Sequence, residues 1–158
     1  SCYIDNSNKR AGFKFAEAEV NGIPVRIDIG PRDLEKGIIT LVRRDTREKI
    51  EISKDTDIVK EIEMLLNDIQ DNLYNRAKAR RDEMTYTAKS MEELSDIMNN
   101  HPGFVKAMWC GKTSCEEKIK EIRGTKSRCI PFDKENITDK CICCGEDAKE
   151  MVVWGIQY

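Results

Sequence analysis

The residues best equipped for chemistry are sulfurs. Six of the seven cysteines fall between Cys110 and Cys144. Cys110-x4-Cys115 is followed by Cys141-x2-Cys144-Gly145, and two cysteine pairs on two separate turns can close a tetrahedron around zinc. Gly145 permits the tight turn that lets backbone N–H groups face a thiolate. Four thiolates fill the coordination sphere, so such a zinc is structural, whereas a catalytic zinc keeps a position for water. Two other readings stay open. The cysteines can be small buried hydrophobes, or Cys141 and Cys144 can be a redox dithiol, although that chemistry wants a helix after the pair and a strand is expected here. Cys143 sits inside the turn and competes with Cys141 as a ligand. Cys129 is expected in the core rather than at a metal, and Cys2 as a free thiol. An odd, clustered set argues against a secreted disulfide framework and for a reducing, cytoplasmic compartment.

A second constellation lies near the start. Phe15 and Glu19 are one helical turn apart and share a helix face. Arg26 and Asp28 share the polar face of a strand, and Arg32 and Asp33 occupy the loop at its end. An aromatic ring can stack on an unpaired base. Arginine can donate to O6 and N7 of guanine, and a carboxylate can accept from its N–H groups. Composition alone favours a plainer reading, a core Phe with surface ion pairs. Catalytic residues are not expected. His101 is the only histidine and falls in a turn, so no Ser–His–Asp set exists. No phosphate-cradling glycine loop is present.

The elements that must position these residues follow from periodicity. Ala11 to Val20 reads as a helix stopped at Asn21-Gly22. Pro24 to Ile29 alternates as a strand with Val25, Ile27 and Ile29 on one face. Asp33 to Gly37 is a helical turn. Ile38–Arg44 and Lys49–Ile52 are strands joined so tightly that they must run antiparallel. A long helix capped by Ser53 or Asp55 carries an apolar stripe of Ile58, Ile62, Leu65, Leu66, Ile69 and Leu73. Ser90 and Glu93 match a capping box for a helix reaching Asn99. Strands are expected at Phe104–Trp109, Ser127–Phe132 and Glu150–Ile156, and a helix at Cys115–Ile122 opened by Ser114.

The 158 residues suit one domain or two small ones, and 35% charged with 39% hydrophobic residues fits a globular, charge-rich chain. The net charge of -2 makes bulk electrostatic capture of a duplex a poor expectation, while local base-edge contacts remain possible. Residues 51–100 carry 7 basic and 12 acidic side chains, so the acid is concentrated in the middle third of the chain. No apolar run reaches the length of a membrane span. Ser1 is not a translational start, and the chain is expected to be a piece of a longer protein.

The motifs Gly12-Phe13-Lys14-Phe15-x-Glu17-x-Glu19, Gly22 to Glu35, Val42-Arg43-Arg44-Asp45-Thr46, Trp109-Cys110-Gly111, Cys115-Glu116, Arg128 to Phe132, Cys141-x-x-Cys144-Gly145 and Tyr158 together resemble the prolyl-tRNA synthetase family of archaeal/eukaryotic type. The resemblance implies a mixed α/β (α+β) fold. An anticodon-binding domain of mixed sheet, incomplete at its start, would occupy 1–75, and a small α+β zinc domain 76–158. It implies that Phe15 stacks on a base, that Glu19, Arg26, Arg32 and Asp33 read the two guanines of proline anticodons, and that Lys49 adds a backbone or base contact. It implies structural zinc on Cys110, Cys115, Cys141 and Cys144, and a role for the Tyr158 carboxylate toward the catalytic domain. Proline activation with ATP and magnesium would belong to that absent domain. The implied partners are the proline tRNA anticodon loop, the catalytic domain and, through it, a homodimer. The alternative is a zinc-stabilised protein-interaction module with no tRNA role.

Overall fold

The structure is a computed structural model that describes residues 1–101 and 103–156. The chain divides into two compact units, Ser1–Arg76 and Ala77–Tyr158.

The first unit holds α1 (Ala11–Val20), β1 (Val25–Asp28), α2 (Pro31–Lys36), β2 (Ile38–Arg43), β3 (Lys49–Ser53) and the start of α3 (Ile58–Glu83). Its sheet has the order β1-β2-β3 and is antiparallel throughout. Strand period two sorts the side chains by face. Leu41 packs with Leu65 and Ile69 of α3, and Val25, Ile27, Ile39, Ile50 and Ile52 close in around them. The register pairs Arg26 with Val42 and Val42 with Lys49, so these three form one row on the other face. The apolar stripe of α3 is used selectively, because Leu65 and Ile69 are buried while Leu66 and Leu73 are exposed. The helix begins later than Ser53 or Asp55. Ser53 Oγ accepts from the Asp55 amide and its carbonyl from Thr56, making a turn, and Asp57 Oδ1 then accepts from the Lys60 amide at 3.3 Å.

A pair of opposite charges sits inside this unit. Arg43 shares the α3 side of β2 with Leu41. Its Nε and Nη2 donate to the two Asp45 oxygens at 3.0 and 2.8 Å, and its Nη1 donates to Asp68 of α3. Asn72 Nδ2 adds a third bond to Asp45 at 2.6 Å. The Arg43 guanidinium holds the Asp45 carboxyl far below the usual carboxylate range, against the opposing push of its burial, and the Asn72 bond adds to the effect. The turn that follows carries Arg47 at φ 63°, a left-handed conformation.

The second unit holds the end of α3, then β4 (Thr85–Thr87), α4 (Met91–Asn100), β5 (Phe104–Trp109), α5 (Thr113–Glu121), β6 (Thr125–Cys129) and β7 (Glu150–Ile156). Its sheet order is β4-β5-β7-β6, with β4 and β5 parallel and the other pairs antiparallel. A parallel pair needs a crossover, and α4 supplies it. Leu94 and Met98 of α4, Ile119 of α5, and Val105, Ala107, Val152 and Trp154 of the sheet form the core. Trp109 meets Trp154 edge-on at 6.4 Å. Ser90 Oγ accepts from the Glu93 amide at 3.1 Å, as the capping pattern requires, but the Glu93 carboxylate reaches back to the Lys89 amide. The structure departs from the expected elements in several places. Strand β4 was not anticipated, α5 opens at Thr113 rather than at Ser114, and β6 starts at Thr125 and ends at Cys129 with a bulge before it.

The architecture is mixed α/β, with an antiparallel sheet in the first unit and a mixed sheet in the second. No helix among the described residues is long and apolar enough to cross a membrane.

Candidate nucleic-acid interface and metal centre

On the sheet face away from α3, the Arg26 guanidinium lies 3.8 Å from the centre of the Phe15 ring. Its Nε and Nη2 donate to Asp28 Oδ1 and Oδ2 at 2.8 and 3.2 Å. Alternation along β1 puts Arg26 and Asp28 on this face, and α1 brings Phe15 over them. Cation–π attraction and a forked ion pair therefore fix one planar cation. The pair is partly desolvated, with side chains 17% and 23% exposed. Lys49 is exposed at the far end of the row that begins at Arg26, two strand spacings or roughly 10 Å away.

The loop after β1 divides its two candidates. Asp33 Oδ2 accepts from the Gly30 amide at 3.0 Å and closes the first turn of α2, with Pro31 at its first position. Arg32, beside it, is exposed and makes no hydrogen bond or ion pair with another described residue. Glu19 ends α1 against the β2–β3 turn, where its carbonyl accepts from Arg44 Nε at 2.9 Å and its carboxylate lies 3.8 Å from Arg47 Nη2. The structure thus joins Phe15 to Arg26, aligns Lys49 with Arg26, commits Asp33 to a cap and leaves Arg32 open. Three further residues surround the candidates: Asp28, Arg44 and Arg47. Their signal was the Arg-x-Asp spacing of β1 and the basic composition of the β2–β3 turn.

The sulfurs of Cys110, Cys115, Cys141 and Cys144 all lie within 4.8 Å of one another. Cys110 follows β5, Cys115 is in the first turn of α5, and the other two are in the turn between Lys140 and Asp147, which form a bridge. That turn is tied to β5 by the Ile142 amide donating to the Met108 carbonyl at 3.0 Å. Gly145, at φ 72°, bonds its amide to the Cys141 carbonyl at 3.0 Å. Cys110 stands 3.7 Å from both Cys115 and Cys144. A zinc–sulfur bond of about 2.3 Å implies tetrahedral edges of about 3.8 Å, so the donors fit this ion in both number and spacing.

Burial pushes the Cys110 and Cys115 thiols up. Burial opposes ionisation of Cys141 too, but the amides of Cys144 and Cys143 outweigh it and hold this thiol at about 7. Lys112–Glu146 and Lys140–Asp147 ion pairs, at 2.6 and 2.7 Å, flank the group. Cys143 is half-buried and packs against the group. Cys129 is exposed on β6, outside the group, so it is not the core residue expected; alternation on a bulged edge strand turns it outward. All seven cysteines are free thiols, and Cys2 is exposed. His101 ends α4 at the surface, 5.7 Å from the Tyr86 ring. Tyr158 lies outside the described residues.

The first unit thus carries an aromatic–arginine platform and an exposed guanidinium, and the second carries a four-thiol cluster. Residues 1–64 match the family described as "Anticodon binding domain", and residues 91–158 match "Prolyl-tRNA synthetase, C-terminal". The chain is 53% identical over 155 residues to a proline--tRNA ligase of Clostridium novyi and 51% identical to proline--tRNA ligase 2 of Bacillus thuringiensis subsp. konkukian. A proline--tRNA ligase of Clostridium botulinum is 48% identical. Each match covers 98% of this chain and 32% of the relative, so the chain spans about a third of the length of these relatives. The chain belongs to the prolyl-tRNA synthetase family, in which it comprises an anticodon-binding domain and the family's C-terminal domain.

Proposed function

We propose that this chain is the tRNA-recognition region of a proline–tRNA ligase and that it binds the anticodon loop of proline tRNA. The division is an anticodon-binding domain at 1–75 and a zinc-stapled domain at 76–158. Phe15 supplies a stacking surface, and Arg26 and Arg32 supply donors for the guanine edges. Glu19 and the Asp33 oxygen not used by the Gly30 amide supply acceptors, and Lys49 a contact to the nucleic-acid backbone. The observation that carries this reading is the Phe15–Arg26 stack at 3.8 Å on the same unit as the unpartnered Arg32.

Zinc on Cys110, Cys115, Cys141 and Cys144 fastens β5, α5 and the 141–144 turn, and its closed thiolate sphere gives it no part in the reaction. Proline activation with ATP and magnesium belongs to the catalytic domain of the ligase. That domain is the intramolecular partner, the ligase works as a homodimer, and the setting is the cytoplasm. The reading is tested by titrating the chain with a proline anticodon stem-loop. Arg32→Ala is expected to weaken binding by about 1–3 kcal/mol with an unchanged melting temperature, as for loss of a good base contact. Equal affinity of the variant and the parent removes Arg32 from base reading.

A further inference from the structure

A guanidinium has two edges that can each make paired hydrogen bonds: Nε with Nη2, and Nη1 with Nη2. In Arg26 the first edge is filled by Asp28, through bonds of 2.8 and 3.2 Å. One plane of the group is covered by Phe15 at 3.8 Å. Arg26 Nη1 has no partner among the described residues. The ring and the forked ion pair together restrain the cation, and what they leave is the Nη1–Nη2 edge.

We infer that Asp28 is a specificity-positioning residue: it locks Arg26 edge-on so that Nη1 and Nη2 donate to N7 and O6 of one guanine. This rests on the anticodon-binding reading given above. Asp28 touches no base itself. Its carboxylate sits two residues along β1, on the same face, which is the spacing at which an Asp can hold an Arg without blocking the opposite edge. Glu51 and Thr40 share this face of the sheet by register, but neither bonds to Arg26. Without Asp28, the flexible arginine can still supply charge but no longer a fixed pair of donors, and discrimination falls while nonspecific attraction persists.

The test uses the 158-residue chain, an isosteric Asp28→Asn variant and an Asp28→Ala variant. The probes are a proline anticodon stem-loop and the same loop carrying 7-deazaguanine, which lacks the N7 acceptor, at each guanine in turn. The parent is expected to prefer guanine over 7-deazaguanine at one of the two positions by about tenfold. Both variants should drop that preference to roughly twofold or less and keep the parent's preference at the other position. A purely structural role for Asp28 would weaken all loops together and leave the ratio unchanged, and that result overturns the inference. If the parent binds no proline loop in preference to one lacking guanines, the anticodon reading itself fails, and the inference with it.

Discussion

Arg26-x-Asp28 and Arg43-x-Asp45 are the same local device. In each, Nε and Nη2 of the arginine fork onto the carboxylate two residues ahead. Environment separates them. Arg43 is 8% exposed and turned toward α3, where Asp68 and Asn72 complete its bonding. Arg26 faces the other way and engages Phe15 and Asp28, with one edge unpaired among the described residues. Nothing local in the sequence distinguishes the two motifs; the face each takes is fixed by the register with β2 and by which side α3 covers. The Arg26–Asp28 pairing was legible as a shared strand face, whereas the use of one Asp33 oxygen, Oδ2, in a helix cap was not. Asp45 makes a pH prediction. Its carboxyl is depressed in the native state, so an unfolded chain binds more protons as the pH falls below the ordinary value of 3.8. Its stabilisation is complete well above that value and is withdrawn on acidification. Asp45→Asn should cost about 1–3 kcal/mol at neutral pH and flatten the acid limb of a stability–pH curve from urea melts. An acid limb of unchanged steepness would show that another carboxylate sets it.

Elements with strong periodicity were readable from sequence, and those made by long-range partners were not. β1, β2, β7 and α1 follow directly from alternation or a helical stripe with a clear stop. β4 is three residues directly after a long helix, and only its pairing with β5 makes it a strand. Gly103 shows how tightly that junction is built. A Cβ placed there would lie 2.1 Å from the Met84 carbonyl oxygen, at φ 150°, while Phe104 donates its amide to the same oxygen at 2.8 Å. Gly103→Ala must break this approach, and we expect a loss above about 3 kcal/mol by chemical denaturation. Ser90→Ala removes only the α4 cap and should cost about 1 kcal/mol. Equal costs for the two would mean that the junction relaxes freely.

At the scale of the molecule, two small units meet the same shortage of core in different ways. The first buries Leu41, Leu65 and Ile69 and adds an internal ion network. The second has a larger apolar core together with a four-thiol cluster at one end of its sheet. The cluster was legible because ligand spacing is a local signal. That Cys129 lies outside the cluster was legible from its strand-like surroundings, but its place at the surface depended on a bulge in β6 that no spacing reveals. If zinc holds the cluster, a strong chelator should speed amide exchange at 105–115 and 141–154 and leave 25–53 unchanged, as read by mass spectrometry. Unchanged exchange throughout, from a protein shown to be metal-free, would remove the metal from the account.

The most direct test of the account as a whole is an exchange footprint with a proline anticodon stem-loop. Amides across 13–20 and 26–34 should slow when the loop is added. They should not slow with a loop in which both anticodon guanines are adenines. Slowing that is the same for both loops, or none in these segments, would contradict guanine reading by this face of the chain.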